Sequence, residues 1–268
     1  MEAGGPAALP TFWEVHAAAE WQTIDFISDL HLAEDTPRTF DAFASYLSQT
    51  PADAVFILGD LFEVWVGDDS RHEGFEARCV DVLGDCASRC AMGFMVGNRD
   101  FLVGAEMLKS CGVLALSDPT VLIAFGERLM LTHGDALCIA DVPYQRFRSM
   151  VRSPAWRGDF LARPLSDRYK AARDVRQESE RRKREQAGGQ YVDIDMATAV
   201  RWVHEAGTPS MIHGHTHMPG SETMAPGFQR HVLTDWDFDH CEGSPRGGVL
   251  RWKSDGIQRL TLAQAVTN

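Results

Sequence analysis

The sequence predicts an α/β fold in which a mostly parallel β-sheet carries helices on its faces. In the first hundred residues, short apolar runs alternate with stretches of helical periodicity, and this order builds β-α-β units. The chain has 268 residues, of which 44% are hydrophobic and 24% charged, as is ordinary for a globular protein with a sizeable core. Length alone leaves the choice between one large domain and two small ones open.

The first half of the chain contains three predicted strands separated by two predicted helices. The middle strand is continuously apolar, which is typical of a strand covered on both faces. Apolar residues at helical spacing, namely Phe40, Phe43 and Leu47, indicate that the first helix has one buried face. The predicted strands are 23–28, 54–58 and 93–96, and the predicted helices are 37–49 and 74–90.

The second half begins with a predicted hairpin and then becomes helical. Two apolar runs flank Gly126-Glu127, which suits a tight turn. Residues 141–187 are largely helical with breaks at Pro154 and Pro164, which predicts a helical insertion near 141–190. The other predicted elements are the hairpin strands 121–125 and 128–132, a helix at 196–205, and strands at 210–212, 230–235 and 247–252.

These elements predict one domain over residues 21–268, preceded by a loose extension rich in Ala, Gly and Pro over residues 1–20. The N-terminus does not resemble a signal peptide, because no basic region precedes an apolar one. No run of about 18 apolar residues is present, so no membrane-spanning helix is expected. The six cysteines form no C-x-x-C pair, and we expect them to be reduced in the cytoplasm.

The charge of the chain is unevenly distributed. The net charge of −12 argues against a nucleic-acid partner, because phosphate contacts need a basic surface. Residues 146–184 nevertheless contain 13 of the 26 lysines and arginines and only five acidic residues. This basic block is either a solvated helical face or a surface for an anionic partner.

Five clusters of polar residues each follow a predicted strand. They are Asp29-Leu30-His31, Gly59-Asp60, Gly97-Asn98-Arg99-Asp100, His133-Gly134-Asp135 and Gly214-His215-Thr216-His217. Ligands gather beyond the carboxyl ends of strands in open α/β sheets, so these segments can converge on one crevice. Carboxylate, amide and imidazole ligands together suit divalent ions such as Mn, Fe, Co or Zn. Each cluster alone is more often a turn or a core histidine, but five in order indicate a metal centre.

Taken in order, these clusters resemble the motifs of the calcineurin-like metallophosphoesterases, which read D-x-H, G-D, G-N-H/R, H and G-H-x-H. The resemblance implies a sandwich of central β-sheets flanked by helices, with two divalent metal ions for which Mn²⁺ is expected. It assigns one ion to Asp29, His31, Asp60 and His217. It assigns the other to Asp60, Asn98, His133 and His215, so that Asp60 is shared.

The residues around these motifs resemble a narrower family, the UDP-2,3-diacylglucosamine pyrophosphohydrolases of lipid A biosynthesis in Gram-negative bacteria. The similar segments lie between Ile24 and Trp236 and include Gly59-Asp60-Leu61-Phe62-Glu63, Trp65, Gly67-Asp68-Asp69, the Asn98 and His133 clusters, and Tyr144-Gln145. This resemblance implies attack of a metal-bound hydroxide on the α-phosphorus of UDP-2,3-diacylglucosamine. The products would be UMP and 2,3-diacylglucosamine 1-phosphate (lipid X).

The narrower resemblance also implies which residues act on the substrate. The catalytic residues would be Asp60, Asn98 and Arg99. The substrate-binding residues would be Asn98, Arg99, Asp141, Ser179, Lys183 and His215. Lys183 stands in a stretch that departs from the family pattern, and the insertion that carries it would form a lid.

Arg99 bears on the choice of substrate. Many related phosphoesterases carry a histidine here that can protonate a leaving alkoxide, which arginine cannot do because its pKa lies above about 12. A leaving phosphate monoester barely needs that proton, since its second pKa is only about 6. Arg99 therefore favours a pyrophosphate substrate, unless it is only a surface ion-pair partner of Asp100.

Apolar residues are interspersed among the basic residues of the insertion. They are Phe147, Val151, Trp156, Phe160, Leu161, Leu165 and Tyr169. Either they cradle acyl chains while Arg and Lys face phosphates, or the helices pack on their own core. The first interpretation predicts a lipid-linked sugar nucleotide as substrate and peripheral association with the cytoplasmic face of the inner membrane.

Other functions and states remain open. A metal-dependent phosphodiesterase of broader specificity would use the same metal centre. An interaction scaffold that has lost its metals is less consistent with the sequence, because no ligand position is missing. The oligomeric state is open, with a monomer favoured.

Overall fold

The computed structural model describes residues 9–185, 192–241 and 243–267, and within 176–185 it describes the backbone alone. In these ranges the strands are β1 Trp13–His16, β2 Ile24–Ile27, β3 Ala54–Leu58, β4 Ala91–Met95, β5 Leu114–Leu116, β6 Thr120–Ala124, β7 Glu127–Thr132, β8 Ser210–His213, β9 Gly220–Ala225, β10 Phe228–Val232, β11 Val249–Lys253 and β12 Gly256–Leu260. The helices are α1 Pro37–Gln49, α2 Gly74–Ala87, α3 Ala105–Ser110, α4 Val142–Val151, α5 Pro154–Leu161, α6 Leu165–Glu185, α7 Met196–Glu205 and α8 Leu262–Ala265.

The first six-stranded sheet contains the predicted β-α-β units. Its strand order is β12-β11-β2-β3-β4-β5. The four strands from β2 to β5 are parallel to one another, whereas β11 pairs antiparallel with both β2 and β12. The mostly parallel sheet predicted from the alternation of apolar runs and helical periodicity is confirmed.

The second six-stranded sheet has the order β1-β6-β7-β8-β10-β9. Its β6 and β7 form the predicted hairpin, with Phe125 and Gly126 in the left-handed turn conformation at φ values of 55° and 78°. The sheet then continues with β8 parallel to both β7 and β10. Parallel pairing brings the ends of β7 and β8 to the same edge of this sheet.

The two sheets pack face to face with helices outside them. Alternate residues such as Phe26, Phe56, Leu122 and Ile212 form a buried layer to which both sheets contribute, because successive strand residues point to opposite faces. The outer face of the first sheet packs against α1, α2 and α3, and the outer face of the second packs against α7. The predicted sandwich of central sheets flanked by helices is confirmed.

The N-terminal segment differs from the expectation of a loose extension in the part that is described. Residues Trp13–His16 form β1, which pairs in parallel with β6 at the edge of the second sheet. Most side chains of this four-residue strand are exposed, so it carries no apolar alternation that the sequence could reveal. Residues 1–8 of the predicted extension lie outside the described residues.

The insertion consists of α4, α5 and α6. As the sequence predicts, breaks fall at the prolines, because Pro154 begins α5 and Pro164 lies just before α6. Val151 and Phe160 are buried, with 2% and 6% of their surface exposed, so at these positions packing on the core is the correct interpretation. No helix in the described ranges is both long and apolar enough to cross a membrane.

Candidate metal centre

The predicted polar clusters meet where the two sheets bring their strand ends together. Asp29 follows β2, Asp60 follows β3 and Asn98 follows β4, while His133 and His215 follow β7 and β8. Backbone hydrogen bonds join neighbouring segments, since Asp29 N donates to Gly59 O at 3.1 Å and Gly214 N donates to His133 O at 3.1 Å. Residues up to 188 positions apart therefore face one another, as the position of the clusters after strands predicts.

Five of the predicted ligands share an unusual backbone conformation. Asp29, His31, Asp60, His215 and His217 have φ values of 55°, 49°, 52°, 66° and 52°. Residues other than glycine seldom adopt positive φ, and each such position costs on the order of 1 kcal/mol or more. The surrounding structure holds these residues in a strained conformation, which is a common property of functional sites.

The first group of ligands contains Asp29, His31 and His217. Their ligating atoms lie within 4.8 Å of one another, and the Nε2 atoms of the two histidines are 3.4 Å apart. The Nε2 of His217 also lies 3.4 Å from Asp29 Oδ1. His31 Nδ1 lies 2.9 Å from Glu63 Oε2, so the proton belongs on Nδ1 and the lone pair of Nε2 points into the group.

The second group contains Asp29, Asp60 and His133, whose ligating atoms also lie within 4.8 Å of one another. His133 Nδ1 lies 2.9 Å from the carbonyl oxygen of Leu58, which leaves Nε2 facing the site. The Oδ1 of Asn98 lies 3.0 Å from that Nε2 and 2.7 Å from Nδ1 of His215. Two imidazoles and an amide oxygen therefore converge beside the carboxylates.

Asp60 faces both groups. Its Oδ2 lies 3.9 Å from His31 Nε2, and its Oδ1 lies 3.7 Å from His133 Nε2. Asp29 belongs to both groups as well, so two carboxylates rather than one stand between them. The assignment of individual residues to one ion or the other stays a prediction.

The electrostatics of the site favour positive charge. Burial opposes charging His133, but Asp60, Asp29 and Asp135 outweigh it and raise the pKa of His133 to about 9. Burial and the neighbouring His133 lower the pKa of His215 to about 4, so this imidazole is neutral and can act as a ligand. In the metal-free chain a proton on His133 balances part of the carboxylate charge. The set of carboxylates, imidazoles and an amide oxygen fits divalent metal ions, which would supply that positive charge instead.

Residues behind the ligands fix the Gly97-Asn98-Arg99 segment. Asp100 is fully buried and accepts hydrogen bonds from the backbone N–H groups of Gly97 (2.7 Å) and Leu61 (2.8 Å). Burial, and then the charge of Asp60, raise the pKa of Asp100 to about 7. Asp100 is thus a backbone anchor, and Arg99 is not its surface ion-pair partner.

Glu63 is a site residue to which sequence reasoning assigned no role. Its carboxylate lies beside His31, and its Oε1 is 3.4 Å from Nη1 of Arg99. The signal available in the sequence was a carboxylate three residues after Asp60 in the Gly-Asp-Leu-Phe-Glu segment. It connects a metal ligand with the arginine expected to contact phosphate.

Of the three residues of the insertion that are predicted to contact substrate, the structure describes the side chain of only one. Asp141 accepts a hydrogen bond from Tyr144 N at 3.0 Å and so caps the N-terminus of α4. Ser179 and Lys183 belong to the final part of α6, and their side chains lie outside the described residues. The roles of all three in substrate binding stay predictions.

No family model matches this chain. Several known proteins are nevertheless similar to it in sequence over most of its length. A protein of Chromobacterium violaceum named UDP-2,3-diacylglucosamine hydrolase is 42% identical over 242 residues, covering 89% of this chain and 98% of that protein. A protein of the same name from Stenotrophomonas maltophilia is 38% identical, with the same coverage of both chains. A third, from Bordetella pertussis, is 36% identical and covers 88% of this chain and 94% of its own length.

Proposed function

Because this chain belongs to the UDP-2,3-diacylglucosamine hydrolase family, we propose that it hydrolyses the pyrophosphate bond of UDP-2,3-diacylglucosamine in lipid A biosynthesis. The products are UMP and 2,3-diacylglucosamine 1-phosphate. The observation that carries the proposal is the convergence of all seven predicted ligands, from five separate segments, on one partly buried cluster. In a scaffold that had lost its metals, no metal binding would offset the strain of the five predicted ligands that have positive φ.

Two divalent ions, with Mn²⁺ expected, would be held by the two groups of ligands. When bound, such ions lower the pKa of a coordinated water and neutralise charge on the diphosphate. The chain itself supplies the positioning. Glu63 and the Leu58 carbonyl fix which nitrogen of His31 and His133 faces inward, and oriented imidazoles bind metals more tightly than mobile ones.

Arg99 is proposed to bind the diphosphate. Its backbone N–H donates to Asp60 Oδ1 at 2.8 Å, which places the residue next to the ligands. Its guanidinium is held by Glu63 and remains 22% exposed, so it can meet a substrate that enters from solvent. A guanidinium there neutralises charge that builds up in the transition state without donating a proton to the leaving group.

Water attacks the α-phosphorus of the substrate. The bond between this phosphorus and the oxygen that bridges the two phosphates breaks, and the acylated sugar leaves as its 1-phosphate. Incubation with Mn²⁺ and UDP-2,3-diacylglucosamine in H₂¹⁸O tests it, with ³¹P NMR and mass spectrometry of the products. We expect the heavy oxygen in UMP. Label in the sugar phosphate would refute attack at the α-phosphorus, and hydrolysis of cyclic AMP or bis-aryl phosphates at a comparable rate would favour a broader phosphodiesterase.

The insertion is proposed to lie against a lipid surface. Several of its apolar side chains are exposed, with 49% exposure at Val142, 51% at Met150, 38% at Leu161 and 51% at Val175. They accompany the basic block, and the combination of apolar and basic side chains is typical of peripheral membrane association. These residues, rather than the buried Val151 and Phe160, are the ones available for lipid.

Vesicle flotation with anionic phospholipid tests this association. The double variant Met150→Ser, Val175→Ser should bind vesicles at least several-fold more weakly than the unmodified chain. Leu114→Ser is the matched control, because Leu114 is also 51% exposed but lies on β5, outside the insertion. Equal loss of binding in both proteins would remove the insertion from the proposed contact.

A further inference from the structure

Three side chains of α4 and that of Arg152, the residue that follows the helix, contact the turn that follows β7. Tyr144 Oη and Arg148 Nε donate hydrogen bonds to Asp135 Oδ2 at 2.5 and 2.7 Å. Arg152 Nη2 donates to the same oxygen at 3.4 Å. Gln145 Nε2 donates to the Asp135 carbonyl oxygen at 2.8 Å. The first helix of the insertion is therefore attached to the turn that carries the metal-centre histidine.

Asp135 is fully buried. Burial opposes its ionisation, but the charges of Arg152 and Arg148 outweigh burial and hold its pKa below the usual range. A buried carboxylate bound by charged donors is held firmly in place, because losing a partner would leave an uncompensated charge. None of these groups has a role in the reaction described so far.

Arg152 makes a second contact that the other three side chains lack. Its Nη2 also donates to the carbonyl oxygen of Gly97 at 2.8 Å. On its other side, the N–H of Gly97 donates to Asp100 Oδ1 at 2.7 Å. Gly97 also packs so closely on Asp60 that an added Cβ would lie 2.1 Å from its Oδ1. Gly97, the residue that precedes Asn98, is thus fixed at its carbonyl oxygen, its N–H and its Cα.

The orientation of the Gly97–Asn98 peptide decides where the side chain of Asn98 points. The Asn98 Oδ1 lies between His215 Nδ1, at 2.7 Å, and His133 Nε2, at 3.0 Å. Rotation of the Gly97–Asn98 peptide would carry the amide oxygen away from both imidazoles. We propose that Arg152 is a positioning residue that holds this peptide, and with it the Asn98 oxygen, in the place that the metal centre requires.

This inference rests on the proposed function of the site and deepens it, because it ties the helical insertion to the metal centre through one side chain. Arg148 provides the comparison. It contacts Asp135 and lies 3.9 Å from Asp118. Within the described residues it makes no hydrogen bond to Gly97, so it stabilises the turn without reaching the Asn98 segment.

The test compares Arg152→Gln with Arg148→Gln in the full chain. Three quantities are measured: kcat and KM with Mn²⁺ and the diacylated substrate, the affinity of the metal-free protein for Mn²⁺ by calorimetry, and the Tm. We expect Arg152→Gln to lower kcat or Mn²⁺ affinity about ten- to a hundredfold, as loss of a residue behind metal ligands commonly does, with KM changed less than about twofold. Arg148→Gln should lower the Tm at least as much, yet keep kcat within about threefold of the unmodified chain.

A charge control is Arg38→Gln, an exposed arginine on α1, which should leave all three quantities unchanged. Equal losses of kcat in the Arg148 and Arg152 variants would overturn the inference, because both would then act only through Asp135. A Tm decrease alone for Arg152→Gln would also overturn it. If the unmodified chain fails to cleave the substrate, the proposed function fails, whereas the Mn²⁺ affinities still decide the role of Arg152.

Discussion

Gly97 provides a sharp test of how tightly the metal centre is assembled. An alanine Cβ at this position would lie 2.1 Å from Oδ1 and 2.5 Å from the backbone N of Asp60. The φ of Gly97 lies outside the left-handed region, so the prediction depends on space alone. Neither obstacle is the end of a flexible side chain, because Asp60 is buried and its carboxylate accepts from Arg99 N.

The expected effect of Gly97→Ala follows from these distances. Ordinary van der Waals contact begins near 3.4 Å, so Asp60 and the Gly97 backbone must separate by about 1 Å. A displacement of about 1 Å at an active site can lower the rate about a hundredfold, and overpacking a core commonly costs about 1–3 kcal/mol of stability. We expect kcat to fall about a hundredfold and the free energy of unfolding to decrease within that range.

Initial rates with Mn²⁺ and UDP-2,3-diacylglucosamine, together with urea unfolding, measure both effects. Gly158→Ala is the matched control, because Gly158 lies within α5 and an added Cβ there meets nothing within 4 Å. That variant should be unchanged in kcat and more stable by about 0.4–1 kcal/mol, since alanine loses less backbone entropy on folding. A Gly97→Ala protein with kcat within threefold of the unmodified chain would refute the close packing described here.

Three further predictions concern the same centre. Glu63→Gln removes the carboxylate beside His31 Nδ1 and should weaken Mn²⁺ binding or activity about ten- to a hundredfold; an unchanged calorimetric affinity together with unchanged kcat would contradict this. Arg99→Ala should lower kcat while the metal content measured by mass spectrometry stays the same, and full activity would exclude a role in catalysis. Mn²⁺ at about 100 times its Kd should stabilise the metal-free chain by about 2.7 kcal/mol per site. Asp60→Asn should lose much of that stabilisation in thermal unfolding, and an equal shift in both proteins would place the metal elsewhere.

The central strands could be predicted because burial on both faces leaves a continuous apolar run, as in β3. The strands β1, β5, β9 and β12 are not among the predicted ones. Each lies at an edge of its sheet, and most of their side chains are exposed or partly exposed. An edge strand is held by backbone hydrogen bonds on one side, and it needs little apolar patterning. The position of β1 therefore depends on β6, which is distant in sequence.

The convergence of the candidate ligands could be predicted because their residue types and their place after strands are both visible in the sequence. The groups that orient them were not visible in the same way. Arg152 and the Gly97 carbonyl are 55 residues apart, and one basic residue among the many of the basic block gives no sign of which carbonyl it will reach. The apolar residues of the insertion show the same limit, since Val151 and Phe160 look like lipid contacts in sequence but are buried.

The strain in the backbone and the charge of the site point to one further conclusion about stability. Five candidate ligands at positive φ each destabilise the fold by on the order of 1 kcal/mol or more, and the buried carboxylates of Asp29 and Asp60, which lie close together, add to that cost. Folding energy elsewhere must offset these terms in the metal-free chain, and bound ions offset them directly because they bind only the assembled site. Binding of divalent ions would therefore be coupled to folding in this protein, and a substitution that loosens the candidate ligand positions should change both together.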